Sequence, residues 1–231
     1  MPAVFGKQVL DFHFGLNPDL PVPAGVEVLF PYQNKMTRSV MEQFFMKYFN
    51  DREPRTFLFG INPGRFGAGV TGVPFTDPLR LKEVLKIEND FHPKPELSSV
   101  FIFQILEAFG GVEAFYKHFY ITSLSPLGFV KDGKNYNYYD DRALEKSVTP
   151  FIVQSIRRQM DFGANREAAI CIGEGQNFRF FEKINLENCF FKKIIPLPHP
   201  RWVMQYRRKK ADEFVEKYLA VLRQIKNPRT G

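Results

Sequence analysis

The sequence predicts an α/β fold of three layers, α/β/α, around a central four-stranded and mostly parallel sheet. Two observations lead there. Four short apolar runs bounded by breakers read as buried strands: RTFLFGI (55–61), FYITSL (119–124), AAICIG (168–173) and KKIIPLP (192–198). Helical spacing separates them, and strands alternating with helices imply a parallel sheet covered on both faces. The chain has 231 residues, 44% of them hydrophobic, with 26 phenylalanines and one tryptophan. That length suits one domain with an aromatic-rich core. No linker, repeat or low-complexity tract breaks it, so residues 1–231 read as a single domain.

The elements follow in order. Residues 1–36 are rich in proline and read as an extended arm packed on the domain. Thr37 reads as the cap of a helix with Met41, Phe44, Phe45 and Tyr48 on one face. After the first strand and a glycine-rich loop, helices are expected over 78–87, 97–109 and 112–118. The stretch after the second strand, GFVKDGKNYNYYDD (128–141), reads as a polar loop with no period. Helices are expected again over 142–160 and 177–183. The C-terminal segment carries Phe214, Tyr218, Leu219 and Leu222 on one stripe.

The net charge of +7 favours polyanionic partners through attraction and counterion release. No apolar run reaches the ~18 residues of a membrane span, and the start lacks the basic-then-apolar pattern of a secretory signal. The two cysteines, Cys171 and Cys189, form no C-x-x-C pair, so a reducing cytoplasm is expected. No cluster of ligand types suggests a metal, and neither metal nor cofactor is expected. A monomer is the default.

In a parallel sheet the loops after the strands share one edge, where ligands bind. Those loops carry Asn62, then Ser123, then Gly173-Glu174-Gly175, then His199-Pro200-Arg201-Trp202. Asn62, Ser123 and His199 are therefore expected to converge. Blander readings stand beside this. A lone asparagine at a strand end is commonly a turn residue, Ser123 is open to a capping role, and His199 between prolines reads equally as a rigid turn. The glycine loop GINPGRFG has neither the G-x-G-x-x-G spacing nor a Walker lysine, which argues against nucleotide-phosphate binding.

GINPG at 60–64, TGVPF at 71–75 and PHP at 198–200 together resemble the uracil-DNA glycosylase superfamily, and most closely its single-strand-selective monofunctional branch. The likeness runs over roughly residues 55–225 and does not reach the N-terminal arm. It implies a uracil-DNA-glycosylase-like fold and an enzyme that extrudes a damaged base from DNA and hydrolyses its bond to deoxyribose. Carried over by residue, it implies that Asn62 orients the attacking water and that His199 stabilises charge on the departing base. Phe75 would stack on that base, and the backbone at Ile61 and Gly64 would line its pocket, where a Cβ on Gly64 would intrude. No lysine suggests a Schiff base, so a monofunctional hydrolase leaving an abasic site is expected.

Two departures from the family matter. An asparagine usually follows the second strand and reads the base edge; here Ser123 stands there. A hydroxyl that rotates discriminates less sharply than a fixed amide, so broader base choice is expected, with xanthine and hypoxanthine as candidates. After the histidine the family resembles H-P-S-P-R, whereas this chain has His199-Pro200-Arg201-Trp202. Arg201 and Trp202 suit a wedge filling the hole left by the extruded nucleotide, although Trp202 suits the core equally. Arg207, Arg208, Lys209 and Lys210 would grip phosphates beside it, the bland alternative being a solvated face. Two other classes remain open: a binder of damaged or single-stranded nucleic acid without turnover, and an unrelated nucleotide-handling enzyme.

Overall fold

A computed structural model describes residues 3–226. The central sheet holds four parallel strands in the order β3-β2-β6-β7: β2 (Thr56–Gly60), β3 (Phe119–Ser123), β6 (Ala169–Ile172) and β7 (Ile194–Leu197). All four lie where the apolar runs predicted. Helices cover both faces. Phe57 and Tyr120 meet Phe5 of α1 (Phe5–Phe14), Thr122 bonds Gln159 of α7 (Arg142–Met160), and Phe59 meets Phe181 of α8 (Gln176–Asn188). On the alternate face Phe119 meets Phe109 of α5 (Leu97–Phe109) and Phe115 of α6 (Val112–Tyr116). Phe101 of α5 packs in turn on Tyr218 of α10 (Ala211–Lys226). Among the described residues no helix is long and apolar enough to cross a membrane.

Three expectations need correction. Residues 1–36 are not simply an extended arm. FGKQVLDFHF forms α1, whose Phe5, Val9, Leu10 and Phe12 are buried, and β1 (Val26–Leu29) follows. The prolines cluster only between these two elements and say nothing about α1. The supposed polar loop at 128–141 is largely a hairpin: β4 (Gly128–Lys131) pairs with β5 (Lys134–Tyr136) and, on its other edge, with β1. Its turn is Asp132-Gly133, with φ of 49° and 65°, the left-handed pair that tight hairpins favour. Finally, Asn34 rather than Thr37 caps α2 (Lys35–Tyr48), its Oδ1 accepting from the amides of Met36 and Thr37.

Helices elsewhere shift only at their ends, with α3 (Ala68–Thr71) inside the glycine loop and α4 (Pro78–Glu83) stopping short of residue 87. The segment after His199 is not a loop; α9 (Pro200–Tyr206) begins immediately and packs against α5. A proline at the first helical position has its amide where no partner is needed anyway.

One buried cation anchors the entry to β2. Arg55 is fully buried; its guanidinium donates to both carboxylate oxygens of Asp51, at 2.6 and 2.7 Å, and to the carbonyls of Glu53 and Tyr116. The rings of Phe5 and Phe49 flank it. Removing the carboxylate leaves a buried charge without its counterion, so Asp51→Ala is expected to cost about 3 kcal/mol in denaturant unfolding. The hydrogen bond from Arg55 holds the Asp51 carboxyl below its ordinary value. That contribution is present above the unfolded pKa of about 3.9 and is lost as pH falls through the lower folded value, so acid should narrow the gap between variant and parent.

Candidate active site

The carboxyl ends of the four strands open into one cleft of about 890 Å³. Asn62, Ser123 and His199 all line it, as do Ile61, Gly64 and Phe75. The convergence expected from strand order is therefore present.

The loop after β2 folds tightly on itself. A Cβ at Gly69 would run into the Gly64 carbonyl, so part of the glycine content serves the loop's own packing. A Cβ at Gly64 would meet the amide of Asn135 at 3.0 Å, so its nearest protein neighbour is the hairpin. Asn135 Oδ1 also accepts from the Arg65 amide at 2.8 Å.

The same hairpin clamps Asn62. Nδ2 donates to the Tyr136 carbonyl at 3.2 Å and to the Pro63 carbonyl at 3.4 Å, while Oδ1 accepts from the Tyr138 amide at 3.2 Å. Both amide hydrogens are used, and one Oδ1 lone pair stays open. The side chain is fixed between loop and hairpin with only an acceptor to offer the cleft.

Phe75 closes the loop in a left-handed conformation, φ 50°, which is costly for a bulky residue and is held only by its surroundings. Its ring lies against Gly60, where even a methyl would sit 3.1 Å away. The His199 imidazole is 5.9 Å from it, tilted by 53°. A flat ring sandwiched between the two would need about 7 Å, twice the carbon–carbon contact distance. A planar ligand stacked on Phe75 therefore presents its edge, not its face, to the imidazole.

His199 caps α9, its Nδ1 accepting from the Arg201 amide at 3.1 Å. That bond puts the proton of the neutral ring on Nε2. Burial, aided by the Arg201 charge, lowers the His199 pKa to about 4. At neutral pH the ring is an uncharged donor. The Ser123 hydroxyl has no hydrogen-bond partner among the described residues, so it is left for the cleft rather than used as a cap.

At the rim, Arg201 and Trp202 line the cleft; Trp202 is 41% exposed and meets Phe214 edge-on at 5.8 Å. It is a rim residue, not a core one. Arg207, Arg208, Lys209 and Lys210 are exposed beyond the rim and do not line the cleft. Arg207 sits 5.2 Å from the Trp202 ring, and Lys210 pairs with Glu213. Among the described residues no group of three metal-ligating side chains occurs.

The sequence reading missed four residues and the hairpin backbone. Asn135 and the hairpin backbone carry a turn signal in Asp132-Gly133 but no chemical one. Glu96, just before α5, lines the cleft beside Gly67. Burial raises its carboxyl above the usual range, although Ser98 and Arg201 favour the ionised form; its backbone amide is held by the Asp77 carboxylate at 3.0 Å, a contact made across 19 positions of chain. Arg65 and Phe66 also border the cleft.

A family model described as the uracil DNA glycosylase superfamily matches residues 46–223. The chain is also similar to a crystal structure of wild-type Pedobacter heparinus SMUG2. The two share 41% identity over 97% of this chain and 99% of that one, with a TM-score of 0.94.

Proposed function

The chain belongs to the uracil DNA glycosylase superfamily, and we propose that it releases uracil and other deaminated bases from DNA by hydrolysis directed by Asn62 and His199. The family match and the SMUG2 likeness support uracil DNA glycosylase activity, the opening step of base excision repair. The observation that carries the finer reading is that Asn62 and Phe75 from the loop after β2, Ser123 at the end of β3 and His199 after β7 line one cleft.

The bond between the base and C1′ breaks with its electron pair going to the base, and an oxocarbenium-like sugar develops. Water then bonds to C1′ and loses a proton, the base gains one, and an abasic site remains. Asn62 is suited to positioning rather than to basicity: its open Oδ1 lone pair accepts a hydrogen from the water and aims the oxygen at C1′. His199, neutral with its proton on Nε2, donates to a base carbonyl as negative charge accumulates there. Phe75 stacks on the base and delivers that carbonyl edge-first to the imidazole, as the ring geometry requires. Arg201, Trp202 and the basic run 207–210 supply the wedge and the attraction to phosphate.

Ser123 sets the breadth of the reaction. Its unpartnered hydroxyl donates or accepts by rotation, so it suits both uracil and the differently patterned edges of xanthine and hypoxanthine. Single-turnover release of the three bases tests this. The parent is expected to act on uracil and on at least one deaminated purine, and Ser123→Asn to favour uracil by about tenfold or more. Strict uracil preference in the parent contradicts the role given to Ser123. No release of any base from any oligonucleotide contradicts the activity.

A further inference from the structure

We propose that Phe66 is a second base-stacking site, taking the nucleobase next to the extruded one, with Arg65 and Lys94 on the adjoining phosphate. This rests on the glycosylase reading of the cleft. Phe66 is 38% exposed and lines the cleft from the glycine loop, and it has no role in the proposed reaction. The ring is not part of the hydrophobic core, and it lines the cleft beneath two cationic side chains. The Lys94 ammonium stands 3.5 Å above its centroid and the Arg65 guanidinium is 5.2 Å from it.

The cations are informative. Arg65 Nε is shielded from solvent yet has no hydrogen-bond partner, although such an atom ordinarily has one. Lys94 is exposed and forms no ion pair among the described residues. An aromatic face flanked by two uncompensated cations fits one unit of a nucleic-acid strand: the base has a π-face for the ring, and the phosphate an acceptor for each cation. The lysine covers the ring in the free protein and swings to the phosphate when a base takes its place. Trp202 and the 60% exposed Tyr206 also line the cleft, where the wedge is assigned; the wedge and Phe66 would together flank the extruded nucleotide.

The test is a two-way cycle on single-stranded oligonucleotides containing uracil. One is intact; two others carry a stable base-free residue at the 5′ or the 3′ neighbour. Half-saturation is read from single-turnover uracil release and, independently, from fluorescence anisotropy with the same oligonucleotides. The parent is expected to bind about tenfold more weakly when one particular neighbour lacks its base. Phe66→Ala should lose about as much on the intact strand and become indifferent to that neighbour, while Phe66→Trp should restore the parent's response. Lys94→Ala should lower the salt slope by about one unit. If Phe66→Ala responds to each missing base as the parent does, the proposal is overturned. Should no uracil be released by any variant, the activity reading fails, and the anisotropy cycle still decides on Phe66.

Discussion

Replacing Asn62 with alanine is expected to lower the single-turnover rate of uracil release by about 10²–10³-fold, with oligonucleotide binding nearly unchanged. In the proposed role the effect belongs to the rate, because the one acceptor lone pair that Asn62 leaves to the cleft would orient the water rather than hold the DNA. A second variant separates aim from presence. In Asn62→Asp, one carboxylate oxygen replaces an amide that donated to the Tyr136 carbonyl at 3.2 Å. Two acceptors then face each other unless the carboxyl keeps its proton, so its folded pKa is raised above the unfolded value. A group raised in this way contributes stability below the unfolded pKa and loses it as pH rises through the folded one. The Tm of Asn62→Asp should therefore fall relative to the parent between pH 4 and pH 8, and a constant difference would contradict the clamp.

His199 is expected to show a loss of similar size by a different route. His199→Ala removes both the Nε2 donor and the cap of α9, and should cost about 10²–10³ in rate and about 1 kcal/mol in stability. Asparagine is a good helix cap but cannot reach as the imidazole does. His199→Asn should keep the parent's Tm and still lose the rate, which separates chemistry from folding. The pH profile carries the charge state. Because the ring titrates at about 4, the parent's rate should show no step near the ordinary histidine value of about 6.5. It should break only near pH 4, where protonation of Nδ1 removes the acceptor for the Arg201 amide. A step near 6.5 that disappears in His199→Asn would contradict a neutral donor.

Much of this site was legible in the sequence because the sheet is written in short apolar runs. Once RTFLFGI, FYITSL and KKIIPLP are strands of one parallel sheet, the residues after them share an edge by topology alone. Asn62, Ser123 and His199 met for that reason. What stayed hidden acts through backbone or through distant packing. The Tyr136 carbonyl and Tyr138 amide that hold Asn62 are groups every residue carries, and they reach it across 74 and 76 positions of chain. Their hairpin is exposed and polar in β5, so no alternation of apolar residues marks it; Asp132-Gly133 was its one local sign. The first helix was masked by the prolines that follow it. His199 between prolines reads as a rigid turn, whereas it caps α9, which packs against α5.

The geometry at the centre of this reading is best tested by a crystal structure with an oligonucleotide carrying a non-hydrolysable deoxyuridine analogue. The expected complex has the extruded base stacked on Phe75, its carbonyl within hydrogen-bond distance of His199 Nε2, and Asn62 Oδ1 facing a water beside C1′. A base lodged elsewhere in the cleft, with Asn62 and His199 on the same side of the sugar or out of reach of it, would contradict the assignment.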